Sequence, residues 1–171
     1  MSSQDDDSVA ENNFIPAILG FMNFGILLSI AMPLMSYSTG LWDFIFVAAG
    51  VYFELKFVRC VSKAHEQPMT RVNPRDRTSI PREGIYARIR HPIAAGAIYL
   101  NIAFVFFFRS LYLIPIIPVL GAMWYLYARY EENVMLERFG DEYREYMRGT
   151  SMFRGAGFDQ QRLASSGYDM Y

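Results

Sequence analysis

Arg90-His91-Pro92 and Glu131-Glu132 are the parts of this chain best equipped for chemistry. The first group closes the stretch Gly84-Ile85-Tyr86-Ala87-Arg88-Ile89-Arg90-His91-Pro92, and the second follows Tyr130. A guanidinium offers a planar fork of donors, an imidazole holds a proton near neutrality, and paired carboxylates suit a diol or an ammonium. His91 and Glu131 lie forty positions apart, and the interval is almost wholly apolar. A helix rises ~1.5 Å per residue, so each half of the interval is about 30 Å long, one bilayer core. The chain therefore leaves a membrane face after His91 and returns to it before Glu131. Ionisable residues brought together beside lipid usually serve a substrate or an ion.

Each piece taken alone has a plainer explanation. Arg88, Arg90 and His91 suit anchoring to lipid phosphates. Tyr86, Tyr99, Tyr125, Tyr127 and Tyr130 suit an aromatic belt. Gly96 and Gly121 suit close helix contact. The ordered set is what argues for a site.

The elements that must carry this set follow from composition. Hydrophobic residues make up 53% of the 171, and charged residues only 19%, against about 25% in a soluble domain. The apolar residues gather in four runs, at about 14–35, 41–58, 92–108 and 111–130. Each is near the ~17–25 residues that span a bilayer. Asp43, Glu54 and Lys56 make the second run the weakest. The expected fold is an all-α integral membrane protein of about four transmembrane helices, with a C-terminal helical hairpin and an amphipathic C-terminal helix. His91-Pro92 should start the third helix, because proline is comfortable in a first turn and biases its predecessor toward extended backbone. Residues 131–147 repeat apolar side chains near helical spacing and should continue the fourth run or lie on the membrane surface. The single Cys60 allows no internal disulfide, and no metal site is expected.

Charge supplies orientation. Of the 16 basic residues, only Arg109 lies outside the stretches from Lys56 to Arg90 and from Arg129 onward. With four spans, both termini and the central loop share one side, and the positive-inside rule makes that side cytoplasmic. The loop, Val61 to Arg90, is broken by Pro68, Asn73-Pro74, Pro81 and Gly84 and should be irregular. Ser36 to Gly40 and Arg109-Ser110 become short outer turns. The first run follows Asp5-Asp6-Asp7 and lacks the basic flank of a signal peptide. The organisation is an acidic head at 1–13, a membrane domain at 14–154 and an aperiodic tail at 155–171. Head and tail are the expected contacts for partners in a membrane complex. Nucleic acid is not an expected partner.

Gly84, Tyr86, Arg90, His91, Pro92 and Gly96 are followed, after the hairpin, by Glu131, Glu132, Leu136, Phe139, Gly140, Tyr143 and Tyr146. This ordered set resembles the isoprenylcysteine carboxyl methyltransferase and phospholipid N-methyltransferase superfamily. The resemblance covers about Ile80 to Met147. It implies a methyltransferase of lipid metabolism that uses S-adenosylmethionine and takes a lipid or lipid-linked substrate from the membrane. By the same resemblance Tyr86, Arg90, His91, Gly96, Glu131 and Glu132 are the expected cofactor-binding residues, and Arg90 and His91 the expected catalytic ones. Two departures stand out: Ile93-Ala94-Ala95 where an aromatic residue often follows His-Pro, and Met147 to Arg154 where a Val-Pro-Arg-like segment is usual. Two alternatives remain: an accessory subunit that keeps the fold without activity, and an NADPH-dependent sterol-type reductase.

Overall fold

The computed structural model describes residues 13–34 and 40–154. The acidic head before Asn13, most of the outer turn expected at Ser36 to Gly40, and the tail from 155 lie outside the described residues. Within them the chain is all-helical, with one isolated parallel bridge between Ile89 and Ser151. The helices are α1 (Ile15–Ala31), α2 (Leu41–His65), α3 (Pro92–Phe108), α4 (Ile116–Phe139) and α5 (Asp141–Gly149).

Helix α3 coincides with the third apolar run. Pro92 occupies its first turn, where a missing N–H costs nothing, and His91 precedes it with φ −123°. At the far end Arg109 adopts φ 50°, turning the chain toward α4. Its guanidinium lies 2.6 Å from Asp43. Asp43 also accepts a 2.7 Å hydrogen bond from the Gly40 N–H. One carboxylate thus caps the start of α2 and ties down the α3–α4 turn.

One expected boundary changes, and for residues 131–147 one of the two expected courses is taken. α2 runs on to His65, so Val61 to His65, expected as loop, are helical. Lys56, Arg59 and Lys63 are good helix formers, and their charge marks where the apolar environment ends without ending the helix. The irregular chain begins only as Pro68 nears. α4 likewise continues past Tyr130 to Phe139. It stops at Gly140, whose φ of +53° suits glycine, and α5 starts in a new direction. Tyr143 and Tyr146 of α5 are buried with Ile80 and Met135. This packing holds the central loop against the ends of α4 and α5.

Leu111–Phe139 is the one stretch among the described residues long and apolar enough to cross a membrane. Ile15–Ala31 and Pro92–Phe108 are apolar but shorter, at 17 residues each. α2 has 25 residues but carries Asp43, Glu54, Lys56, Arg59 and Lys63.

α2 and α3 make the most intimate contact in the molecule. A Cβ on Gly96 would meet Cys60 Cβ at 3.3 Å and the Phe57 carbonyl oxygen at 3.4 Å. Gly121 faces open space. Gly96→Val should therefore lower stability by about 1–3 kcal/mol through overpacking. Gly121→Ala should be neutral or stabilising by up to ~1 kcal/mol, because a Cβ there meets nothing and alanine is the better helix former. Unfolding midpoints of the two variants in one detergent check the contrast.

Inside the bundle, Asn23 Nδ2 donates to Asn101 Oδ1 at 2.7 Å, and Trp124 Nε1 donates to Asn23 Oδ1 at 3.3 Å. This buried polar trio joins α1, α3 and α4, where apolar contact alone would leave their register free.

Candidate functional site

The start of α3 and the last turns of α4 converge. His91 Nδ1 lies 3.1 Å from Glu131 Oε2. A carboxylate only accepts, so Nδ1 carries the proton. The other oxygen of Glu131, Oε1, accepts from Arg77 Nη2 at 3.0 Å. Glu132 Oε1 accepts from Arg90 Nε at 2.8 Å, and Oε2 from Arg129 Nη1 at 3.3 Å. His91 Nε2 is 3.4 Å from Glu132 Oε1, yet it has no hydrogen-bond partner among the described residues. Two carboxylates thus face three guanidiniums and an imidazole in a cluster that is buried except at Arg129, whose side chain is half exposed. Burial opposes charge on His91, but the carboxylates of Glu131 and Glu132 outweigh it, so its pKa stands above the ordinary value. Burial also pushes the Tyr86 phenol up, so it remains a neutral donor.

The two glutamates have different surroundings. Glu131 lines a cavity of about 30 Å³ together with Arg77, Tyr86, Arg90, His91 and Tyr127. Glu132 is 1% exposed, is not in that wall, and serves the neighbouring cations. Successive residues on a helix point about 100° apart, so a Glu-Glu pair at a helix end presents one member to the cavity and one to the packing.

Arg90 is deeply committed. Besides Glu132, its Nη1 donates to the carbonyls of Met147, at 3.0 Å, and Thr150. Residues 150–152 run beside 88–91, with the Arg90 N–H donating to Ser151 O at 2.9 Å and the His91 N–H to Met152 O at 3.1 Å. Phe153 follows and brings its ring centroid 6.2 Å from that of His91. The segment after α5 thereby covers the His91 side of the site.

Of the expected site residues, Arg90, His91, Glu131, Glu132 and Tyr86 come together. Gly96 does not; it faces Cys60 and Phe57 of α2 and lets the two helices close up. Arg77 joins the site although the sequence does not single it out. A tight turn aims it there: Asn73 Oδ1 accepts from the Arg75 N–H at 3.2 Å, and the buried Pro74 fixes the backbone. Nothing in the spacing separates Arg77 from the other basic residues of the loop. Ile93 and Ala94, part of the first departure from the family pattern, stand in the cavity wall.

Two larger spaces adjoin the small cavity and share Pro16 and Ile93 with it. One, about 500 Å³, lies between the start of α1, the end of α2 and Thr70-Arg71. Arg71 in its wall makes no ion pair with a described residue. The other, about 360 Å³, is apolar and lies between α1, α2 and α3, with Glu54, Asn23 and Trp124 in its wall. α1 and α2 barely touch one another, so it opens sideways between them. Glu54 makes no hydrogen bond or ion pair with any described residue. In the sequence it is only an interruption of an apolar run, and no spacing marks it as part of a site.

Compared with protein-family models, curated proteins and solved structures, the chain matches none.

Proposed function

We propose that this chain is a multi-pass integral membrane methyltransferase that uses S-adenosylmethionine and acts on a lipid-like acceptor. The observation that carries the reading is the convergence of His91 and Glu131 at 3.1 Å on a small cavity, with Arg77 and Arg90 also in its wall, adjoining an apolar opening between helices. A polar end for a charged cofactor and a sideways entrance for an apolar substrate are what such a reaction needs.

The membrane setting draws on surfaces as well as lengths. Phe21, Leu41, Trp42, Phe44 and Leu126 are all largely exposed, as lipid-facing side chains would be. Helices of 17 residues reach about 26 Å, and a tilted or locally thinned bilayer accommodates them. Four spans place both termini and the site on the cytoplasmic side.

The cavity of about 30 Å³ holds little more than one water. The adjoining 500 Å³ space is in the range of pockets that take drug-sized ligands. The donor set fits the cofactor: Glu131 suits the ribose diol or the ammonium, and His91 Nε2, 3.4 Å from Glu132 Oε1, makes no hydrogen bond to a described residue. Arg71 is better disposed than Arg90 to meet the cofactor carboxylate, because Arg90 is engaged with Glu132 and two carbonyls. When bound, S-adenosylmethionine supplies an electrophilic methyl group. The chain's own work is then alignment and exclusion of water. Phe153 and the 150–152 segment cover the site, and the Glu131–His91–Arg77 cluster holds its charges in place.

Glu54 bears on the acceptor. A carboxylate in the wall of the apolar opening repels a prenylcysteine carboxylate and attracts a lipid amine, so the amine is the favoured acceptor of the two. The two other readings, an accessory subunit and an NADPH-dependent reductase, differ in what the protein binds.

Purified protein in detergent should bind S-adenosylmethionine and not NADPH by calorimetry. Glu131→Ala should weaken that binding roughly ten- to hundred-fold, the loss of one charge-assisted hydrogen bond. Absence of S-adenosylmethionine binding to the wild type would overturn the reading.

A further inference from the structure

On the far side of the 84–91 segment lies a second, basic cleft. Ile85, Arg88 and Ile89 face it, whereas Tyr86, Arg90 and His91 face the cavity described above. The cleft has a volume of about 540 Å³. Lys56, Arg59 and Lys63 of α2 line it at helical spacing, and Arg88 completes the set. Glu66 is the one acid in its wall, and it is already paired with Lys63 at 2.7 Å. Arg59 and Arg88 make no ion pair with any described residue. Lys56 sits over the rings of Tyr52 and Tyr99, 4.7 and 5.3 Å from their centroids. Its ammonium is thereby held beside the cleft.

One turn further into α2 the surface becomes apolar. Tyr52 precedes Lys56 by four residues and Leu55 precedes Arg59 by four, and both are exposed. Cations beside apolar side chains, in this order along one helix, match a molecule with an anionic head and a hydrocarbon tail. A free phosphate would use the cations and leave the apolar flank idle.

We propose that this cleft binds the phosphate headgroup of an anionic phospholipid, with its acyl chains along the exposed face of α2. Arg59 and Arg88 supply the uncommitted charge, Lys63 is shared with Glu66, and Tyr52 and Leu55 receive the first methylenes. The proposal rests on the membrane reading and not on methyl transfer, since the two cavities share no wall residue.

The test uses the full-length protein in a neutral detergent and native mass spectrometry. The probes are dioctanoyl phosphatidylglycerol, dioctanoyl phosphatidylcholine and inorganic phosphate. The wild type should retain the phosphatidylglycerol in clear preference to the phosphatidylcholine. Each basic residue near an anionic lipid surface contributes roughly a five-fold gain, so Arg59→Gln with Arg88→Gln should cost roughly 25-fold. Arg59→Lys with Arg88→Lys should restore most of it, since a point charge serves a phosphate. Arg144→Gln, on an exposed turn of α5, should change nothing. Equal retention of the two lipids, unchanged affinity in the double Gln variant, or displacement of the lipid by equimolar inorganic phosphate would each overturn the proposal. S-adenosylmethionine binding measured on the same double variant should be unaltered, which keeps this result separate from the cofactor reading.

Discussion

Glu132→Ala should be the most destabilising single substitution in the cluster, lowering stability by about 3–5 kcal/mol. The side chain is 1% exposed and accepts from Arg90 and Arg129. Removing it leaves buried positive charge without a counter-charge, and that uncompensated charge, more than any lost attraction, sets the size of the effect. Glu132→Gln should be milder, because its amide oxygen still accepts one of these bonds. Glu142→Ala is the contrast. Glu142 pairs with Arg82 at 2.9 Å, but both side chains are about half exposed, at 61% and 45%. Exposed pairs contribute little, so this variant should unfold at the wild-type midpoint within error. Thermal unfolding of the three variants in the same detergent decides the matter. A Glu132→Ala protein as stable as Glu142→Ala would mean that water or lipid reaches the cluster and screens it.

Under the proposed methyl-transfer function, Arg90→Lys should reduce the rate by at least about ten-fold, whereas Arg75→Lys, in the same basic loop, should do little. Arg90 uses a planar fork: Nε goes to Glu132, while Nη1 goes to the carbonyls of Met147 and Thr150. A lysine offers one ammonium at one point and cannot hold both the carboxylate and the covering segment. The segment that places Phe153 beside His91 would then lose its anchor. Arg75 is exposed, and its contact with Arg138 is made by its backbone carbonyl, which a side-chain change leaves intact. The measurement is transfer of a labelled methyl group to a long-chain amine or total lipid extract. His91→Ala should be severe and His91→Gln milder if the imidazole serves by hydrogen bonding. Equal, near-wild-type rates for Arg90→Lys and Arg75→Lys would show that the guanidinium fork of Arg90 is not needed to hold the covering segment over His91.

Much of the architecture is legible in the amino-acid sequence. Pro92 marks the start of α3, and Arg109-Ser110 marks its turn toward α4. The amphipathic character of residues 131–147 is legible too, though the break at Gly140 into the last turns of α4 and the separate α5 is seen only in the structure. These are local signals, set by backbone freedom and by hydropathy. The extent of α2 is less legible, because hydropathy reports where lipid-like surroundings end and not where the hydrogen-bonded ladder ends. Lys56, Arg59 and Lys63 continue the helix while changing its surroundings. The covering segment after α5 carries no periodicity, so its place beside 88–91 rests on backbone hydrogen bonds to residues some sixty positions away, such as Arg90 N–H to Ser151 O.

For the site the division follows the same line. The forty-residue interval between His91 and Glu131, filled by an apolar hairpin, is enough by itself to bring those two residues to one end of the molecule. That is a matter of length, rise per residue and hydropathy. Which glutamate faces the cavity, which cation meets it and which residues merely pack are decided only by the tertiary structure. Glu131 and Glu132 are neighbours of one chemical type, and only the rotation of α4 against α3 separates a cavity wall from a buried counter-ion. Arg77 is one basic residue among many until the Asn73-Pro74 turn aims it at Glu131. Gly96 stands in the motif, yet the packing of α2 against α3 gives it a steric task. Side-chain direction depends on how whole helices lean on one another, and that is a sum of many small contacts that no short stretch of sequence contains.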